Sequence, residues 1–154
     1  MIEAARQIAG LMLDGGTAGV EGEDPVEQLE RIARSFPDLP MLPALVRVRV
    51  GDLHRQAGRR DLAVRAYRDV ERDHPNEPEM IVEALMNLSV MAEEDKDPSQ
   101  ALDHANELLE RCADQPGVCQ RARRRISSLA RTYAEDLTLR GEKKIEDERK
   151  DRNY

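Results

Sequence analysis

The sequence predicts an all-α fold of about seven helices. Apolar side chains recur every three or four residues along most of the chain, which places them on one face of a helix. The chain is rich in Ala, Leu, Glu and Arg, which favour helix. Aromatic residues make up only 3% of it, so the core must be built from aliphatic side chains.

Five segments carry the helical spacing most clearly: residues 2–13, 25–36, 61–73, 98–112 and 118–137. Val46 to Val50 alternates apolar and charged residues as a strand does. It is short, however, and has no second strand to pair with, so we predict helix there as well. The glycine-rich run from Gly15 to Gly22 predicts a loop.

Aspartate–proline pairs mark two of the helix starts. Asp24-Pro25-Val26-Glu27 and Asp97-Pro98-Ser99-Gln100 share one pattern. In it, the aspartate can cap free amides, the proline suits the first helical position, and the Glu or Gln can reach back. The remaining prolines fall between the periodic segments, where we expect the helices to stop.

Charge and hydropathy argue against two classes of partner. The formal net charge is −7, which disfavours general binding to nucleic acid. No stretch approaches the roughly 18 apolar residues of a membrane span. We therefore expect no nucleic-acid partner, no membrane span and a cytoplasmic location, with a periplasmic location open if a signal segment has been removed.

No motif in the sequence points to catalysis. Dinucleotide-binding, phosphate-loop and nucleophile-elbow patterns are absent, and the three histidines lack metal-ligand spacing. We expect no enzymatic activity, no metal and no other cofactor. Cys112 and Cys119 lie near the facing ends of two predicted helices, so they form either a disulfide across the turn or two buried thiols.

A repeat pattern is clearest between Ala44 and Pro75. Gly51 and His54 are followed by Ala63 and Tyr67, with Pro75 eight residues later. This spacing resembles that of the tetratricopeptide repeat (TPR) family, as found in bacterial helical repeat proteins. That family has a small residue and an aromatic in one helix, Ala–x3–aromatic in the next and a closing proline. The match is partial, since Arg47 and His54 stand where the family usually has Trp and Tyr.

The small residues recur at an interval of 38 residues, longer than the family's ~34. Gly51 and Ala63 are followed by Ser89 and Ala101, each 38 residues later, and Ser127 continues the series. The resemblance implies a right-handed solenoid of antiparallel helix pairs, stacked closely through these small residues. It also implies that the aromatic ring of the central unit fills the space toward the next helix.

The resemblance implies a domain organisation and a function. One TPR-like domain would cover residues 1–140, and the charged tail over 141–154 would either extend the last helix or fray. The family binds peptides or helices of other proteins in a concave groove, which implies a non-catalytic scaffold or adaptor with a protein or peptide partner. The alternative is a self-associating repeat protein that forms homo-oligomers.

Alignment on the repeat assigns residues to the groove. Methionine would make its floor adaptable, and the arginine run over 121–125 would suit an acidic peptide. Helical spacing is expected to place Arg121, Arg124 and Arg125 near one another, with Arg131 as a further candidate, and to turn Arg123 elsewhere. The predicted partner-binding residues are Leu45, Val48, Arg55, Met86, Val90, Arg121, Arg124 and Arg131.

Overall fold

The computed structural model describes residues 24–111 and 116–151, which form six helices and no strand. The helices are α1 (Pro25–Ser35), α2 (Leu42–Gln56), α3 (Arg60–Asp73), α4 (Pro78–Glu94), α5 (Pro98–Arg111) and α6 (Pro116–Asp151). The all-α prediction is confirmed for these residues. The helix predicted over 2–13 and the loop predicted from Gly15 to Gly22 lie outside them.

Aspartate side chains cap the two helices where the sequence predicts it. Asp24 accepts a hydrogen bond from the backbone nitrogen of Val26 at 3.2 Å, and Asp97 accepts one from that of Gln100 at 2.9 Å. Helices α4 and α6 also begin at a proline, although both prolines were predicted to lie between helices. Proline is tolerated there because the first-turn amide has no partner within the helix.

The alternating segment from Val46 to Val50 is part of α2 and is helical as predicted. Val46, Val48 and Val50 are all buried. Alternate positions of a helix point in different directions, so this burial requires packing on more than one side. Helix α2 meets this requirement because it packs on both α1 and α3.

The described residues divide at Leu88 into two compact units, and the boundary falls inside α4. In the first unit an aliphatic core joins α1, α2 and α3. Its buried members are Leu29, Ile32, Leu42, Val46, Val50, Leu53 and Ala66. Aliphatic side chains therefore make up most of the core, but the ring of Tyr67 on α3 is also buried in this unit, so the expectation of a core built only from aliphatic side chains is wrong.

In the second unit α5 packs on α6. The buried core there comprises Ala92, Ala101, Ala105 and Leu129, with Leu102 and Ile126 packed against it. Helix α6 runs to Asp151, so residues 141–151 of the predicted tail extend the last helix. Cys119 on α6 is disulfide-bonded, and Cys112, the other cysteine of the chain, lies outside the described residues.

Candidate functional site

Gly51 on α2 makes room for the aromatic ring of Tyr67 on α3. A Cβ atom at position 51 would lie 2.5 Å from Cε1 and 2.7 Å from Cδ1 of that ring. Carbon atoms make favourable contact only at about 3.5–4.0 Å, so only glycine fits. The ring is 1% exposed and lies against the preceding helix, and its predicted contact with the next helix stays a prediction.

Asp52, beside that glycine, accepts hydrogen bonds from three side chains. The hydroxyl of Tyr67 donates to Oδ1 at 2.7 Å, and Nδ2 of Asn87 donates to the same oxygen at 3.0 Å. Nη1 of Arg49 donates to Oδ2 at 2.9 Å. These bonds join α2, α3 and α4 within the first unit, so the carboxylate is a structural link between helices.

The burial and charges of this cluster keep the tyrosine hydroxyl protonated and the arginine positively charged. Burial and the hydrogen bond to Asp52 raise the pKa of Tyr67 far above its ordinary value, so the hydroxyl keeps its proton. Arg49 also pairs with Glu83 at 2.8 Å. Burial would lower the pKa of Arg49, but the bonds to both carboxylates outweigh it and raise that pKa.

A second polar cluster lies in the second unit, around Ser89 on α4. The Ser89 hydroxyl donates to the carbonyl oxygen of Ala101 on α5 at 2.9 Å. Arg125 on α6 donates to the hydroxyl at 3.2 Å through Nε and to the Ser89 carbonyl at 3.1 Å through Nη2. The same guanidinium pairs with Glu93 at 2.7 Å. The cluster therefore joins α4, α5 and α6.

One donor in each cluster lies at an equivalent position, 38 residues apart, while the acceptors Asp52 and Ser89 are 37 residues apart. Asn87 on α4 contacts α2, and Arg125, 38 residues later on α6, contacts α4. Each side chain thus reaches the helix two before its own. The interval is visible in the sequence at the small residues, but this pair was not predicted. The polar residues at 49, 87 and 125 are the signal that could have revealed it.

Helix α6 carries an exposed surface rich in arginine, here called the arginine face. It forms an open depression of about 460 Å³. The lining residues are Gln120, Arg123, Arg124, Ser127, Ser128 and Arg131. The expected orientations of Arg123 and Arg125 were therefore wrong. Positions 123, 127 and 131 lie on successive turns of one face, and Arg125 turns inward toward α4.

The predicted partner-binding residues differ in their exposure. Val48 is 0% exposed, so its predicted role as a contact residue is wrong: α2 packs on both sides and places this valine in the interior. Four others are half-buried, namely Leu45, Arg55, Met86 and Val90. The exposed members are Arg121, Arg124 and Arg131, of which the last two line the arginine face.

A smaller cavity of about 230 Å³ lies elsewhere in the second unit. Leu129 and Tyr133 give it an apolar wall, and Glu93, Lys96 and Asp136 give it a charged one. Lys96 has a backbone φ of +60°, a conformation that few residues other than glycine adopt.

His54 on α2 has a buried Nδ1 atom without a hydrogen-bond partner in the described part of the chain. Burial and the positive charge of Arg59 lower the pKa of His54, which favours the neutral ring. Within residues 24–111 and 116–151, no group of three His, Cys, Asp or Glu side chains is arranged to hold a metal ion.

Comparison of the chain with family models, with curated proteins and with solved structures found no match. Among the described helices, none is both long enough and apolar enough to cross a membrane.

Proposed function

We propose that this chain is a TPR-like protein-interaction scaffold or adaptor that binds a peptide or helix of a partner protein without catalysis. The observation that carries the proposal is a hydrogen-bond donor that recurs after 38 residues and each time reaches back to an earlier helix. Asn87 and Arg125 occupy equivalent positions and each contacts the helix two before its own. Helical units that repeat in this way present extended surfaces, and such surfaces serve mainly in binding.

The polar side chains of the described helices fit a binding role. In the Asp52 cluster, the tyrosine, asparagine and arginine all form hydrogen bonds within the fold. In the Ser89 cluster, the arginine does the same. These groups hold helices together, whereas catalytic groups need access to a substrate. The arginine face, by contrast, is open to a partner.

Quantitative affinity capture with the purified chain tests the proposal. The bait would be the wild type beside Met86→Glu and Arg124→Glu, which change one residue in each unit. Arg65→Glu is the matched control, because it reverses an exposed charge on α3, a helix that supplies none of the predicted binding residues. Circular dichroism would first establish that all four proteins fold.

The expected result is a partner that the wild type and the Arg65→Glu control retain and that at least one of the other variants loses. Binding would then be reproduced with the purified partner, and cross-links would locate it on the chain. If no protein binds saturably, or if both variants keep every partner at full strength, the proposed binding surface is wrong.

A further inference from the structure

The arginine face of α6 corresponds to helix surfaces that are covered elsewhere in the chain. Moving back 38 residues from its six lining positions leads to α4, and moving back twice leads to α2. Half of those positions are buried in each helix. In α4 they are Val82, Leu85 and Ser89, and in α2 they are Ala44, Val48 and Gly51. On α6 all six are exposed.

On α2 and on α4, the small residue of the repeat is in contact with the helix that follows. The ring of Tyr67 on α3 lies on Gly51 of α2. Ala101 on α5 accepts the hydrogen bond from Ser89 of α4. Ser127 is the equivalent residue of α6, and no described helix covers it. The helix that precedes α6 packs on its opposite side, against Ile126 and Leu129.

The charge of the arginine face indicates what could cover it. Arg123, Arg124 and Arg131 line it and no carboxylate does, although the chain as a whole carries a formal net charge of −7. Soluble surfaces usually intersperse both signs of charge, whereas the lining of this face carries only positive charge. Arginines suit carboxylates because the guanidinium can donate two parallel hydrogen bonds to one carboxylate group.

We infer that the arginine face binds an acidic helix of a partner protein, with a small residue of that helix packed on Ser127. This inference rests on the proposed function and names the chemistry of the partner. A second copy of the chain in a symmetric pairing fits less well, since Arg123, Arg124 and Arg131 would meet the same three arginines.

The probe is a peptide with the sequence of residues 97–111, which includes α5, the helix that covers the equivalent position on α4. It carries four carboxylates and one arginine, and its Ala101 supplies the small residue. A side-chain staple on the face away from Ala101 would keep it helical. The control peptide has Asp103→Asn, Glu107→Gln and Glu110→Gln.

Fluorescence anisotropy of the labelled peptide measures binding to the full chain. We expect saturable binding that weakens as salt is raised and falls by about tenfold or more with the control peptide. The protein variant Arg124→Glu/Arg131→Glu should cause a loss of similar size. Ser127→Trp should also weaken binding by obstructing the face without changing charge, and Arg65→Glu should leave it unchanged.

Several outcomes would overturn the inference. They are no saturable binding up to about 1 mM peptide, equal affinity for the control peptide, and full affinity in the Arg124→Glu/Arg131→Glu variant. Tighter binding of a mixed-sequence oligonucleotide, or self-association that the arginine substitutions abolish, would replace the acidic helix with another occupant. Capture of a partner that depends on Met86 and ignores these arginines would leave the proposed function intact and remove this inference alone.

Discussion

Replacing Gly51 with alanine tests the close packing of α2 and α3. The new Cβ would lie 2.5 Å from Cε1 of Tyr67, so the ring would have to move by about 1 Å to reach ordinary contact. The ring is 1% exposed, and its hydroxyl donates to Asp52 at 2.7 Å. The movement would therefore compress a packed interior and lengthen that hydrogen bond.

These effects have opposite signs, and the unfavourable ones are larger. Alanine gains about 1 kcal/mol over glycine inside a helix. Overpacking costs about 2 kcal/mol, and loss of a hydrogen bond to a carboxylate costs about 1.5 kcal/mol. We expect Gly51→Ala to lower the free energy of unfolding by about 2–3 kcal/mol, measured by denaturant titration followed by circular dichroism.

Two other glycines serve as controls because each isolates one factor. Gly117→Ala meets no atom within 4 Å and should be neutral or slightly stabilising. Gly58→Ala has equal space but a φ of +71°, so it should cost about 1–2 kcal/mol through the backbone alone. In a Tyr67→Leu background, Gly51→Ala should cost at least about 1 kcal/mol less than in the wild type. Equal effects of Gly51→Ala and Gly117→Ala would refute the packing argument.

Three further predictions concern buried or partly buried polar side chains. Tyr67→Phe removes the donor to Asp52 and should cost about 1–2 kcal/mol of unfolding free energy; an unchanged denaturation midpoint would contradict this. Arg125→Met removes the hydrogen bonds from α6 to α4 and should cost about 2 kcal/mol, whereas Glu93→Gln, at an exposed ion pair, should cost less than about 1 kcal/mol. Burial lowers the pKa of His54 below its unfolded value of about 6.5. As the pH falls, the unfolded chain therefore binds a proton before the folded chain does, so the free energy of unfolding should decrease below about pH 6.5. Denaturation at several pH values should show a weaker fall in His54→Phe, and identical pH dependence would exclude the histidine as its source.

Local sequence patterns predicted the helices well because caps and apolar spacing act within a few residues. The aspartate caps at Asp24 and Asp97 are where the sequence places them. The segment from Val46 to Val50 was harder because it alternates like a strand. Helix was predicted because no second strand is present to pair with it, and the structure confirms this prediction. The alternation of apolar residues is explained by the packing of α2 on two sides.

Exposure of the candidate binding residues could not be predicted in the same way, because it depends on which neighbouring helix covers each face. Val48 aligns with Arg124 at twice the repeat interval, yet the valine is buried and the arginine is exposed. Arg125 lies next to Arg124 in sequence but forms hydrogen bonds with Ser89 on another helix. One sequence without tertiary contacts does not distinguish these cases.

The repeat interval carries information even where the residues differ. Gly51, Ser89 and Ser127 occupy one repeat position, and each has a small side chain, which shortens the distance at which a neighbouring helix can pack. At Gly51 that space is filled by an aromatic ring, and at Ser89 the hydroxyl bonds to a backbone carbonyl. A small residue at this position therefore accompanies a helix contact both times that the next helix is described. By the same reasoning Ser127 marks a surface suited to a helix, and the arginines around it make an acidic helix the best match.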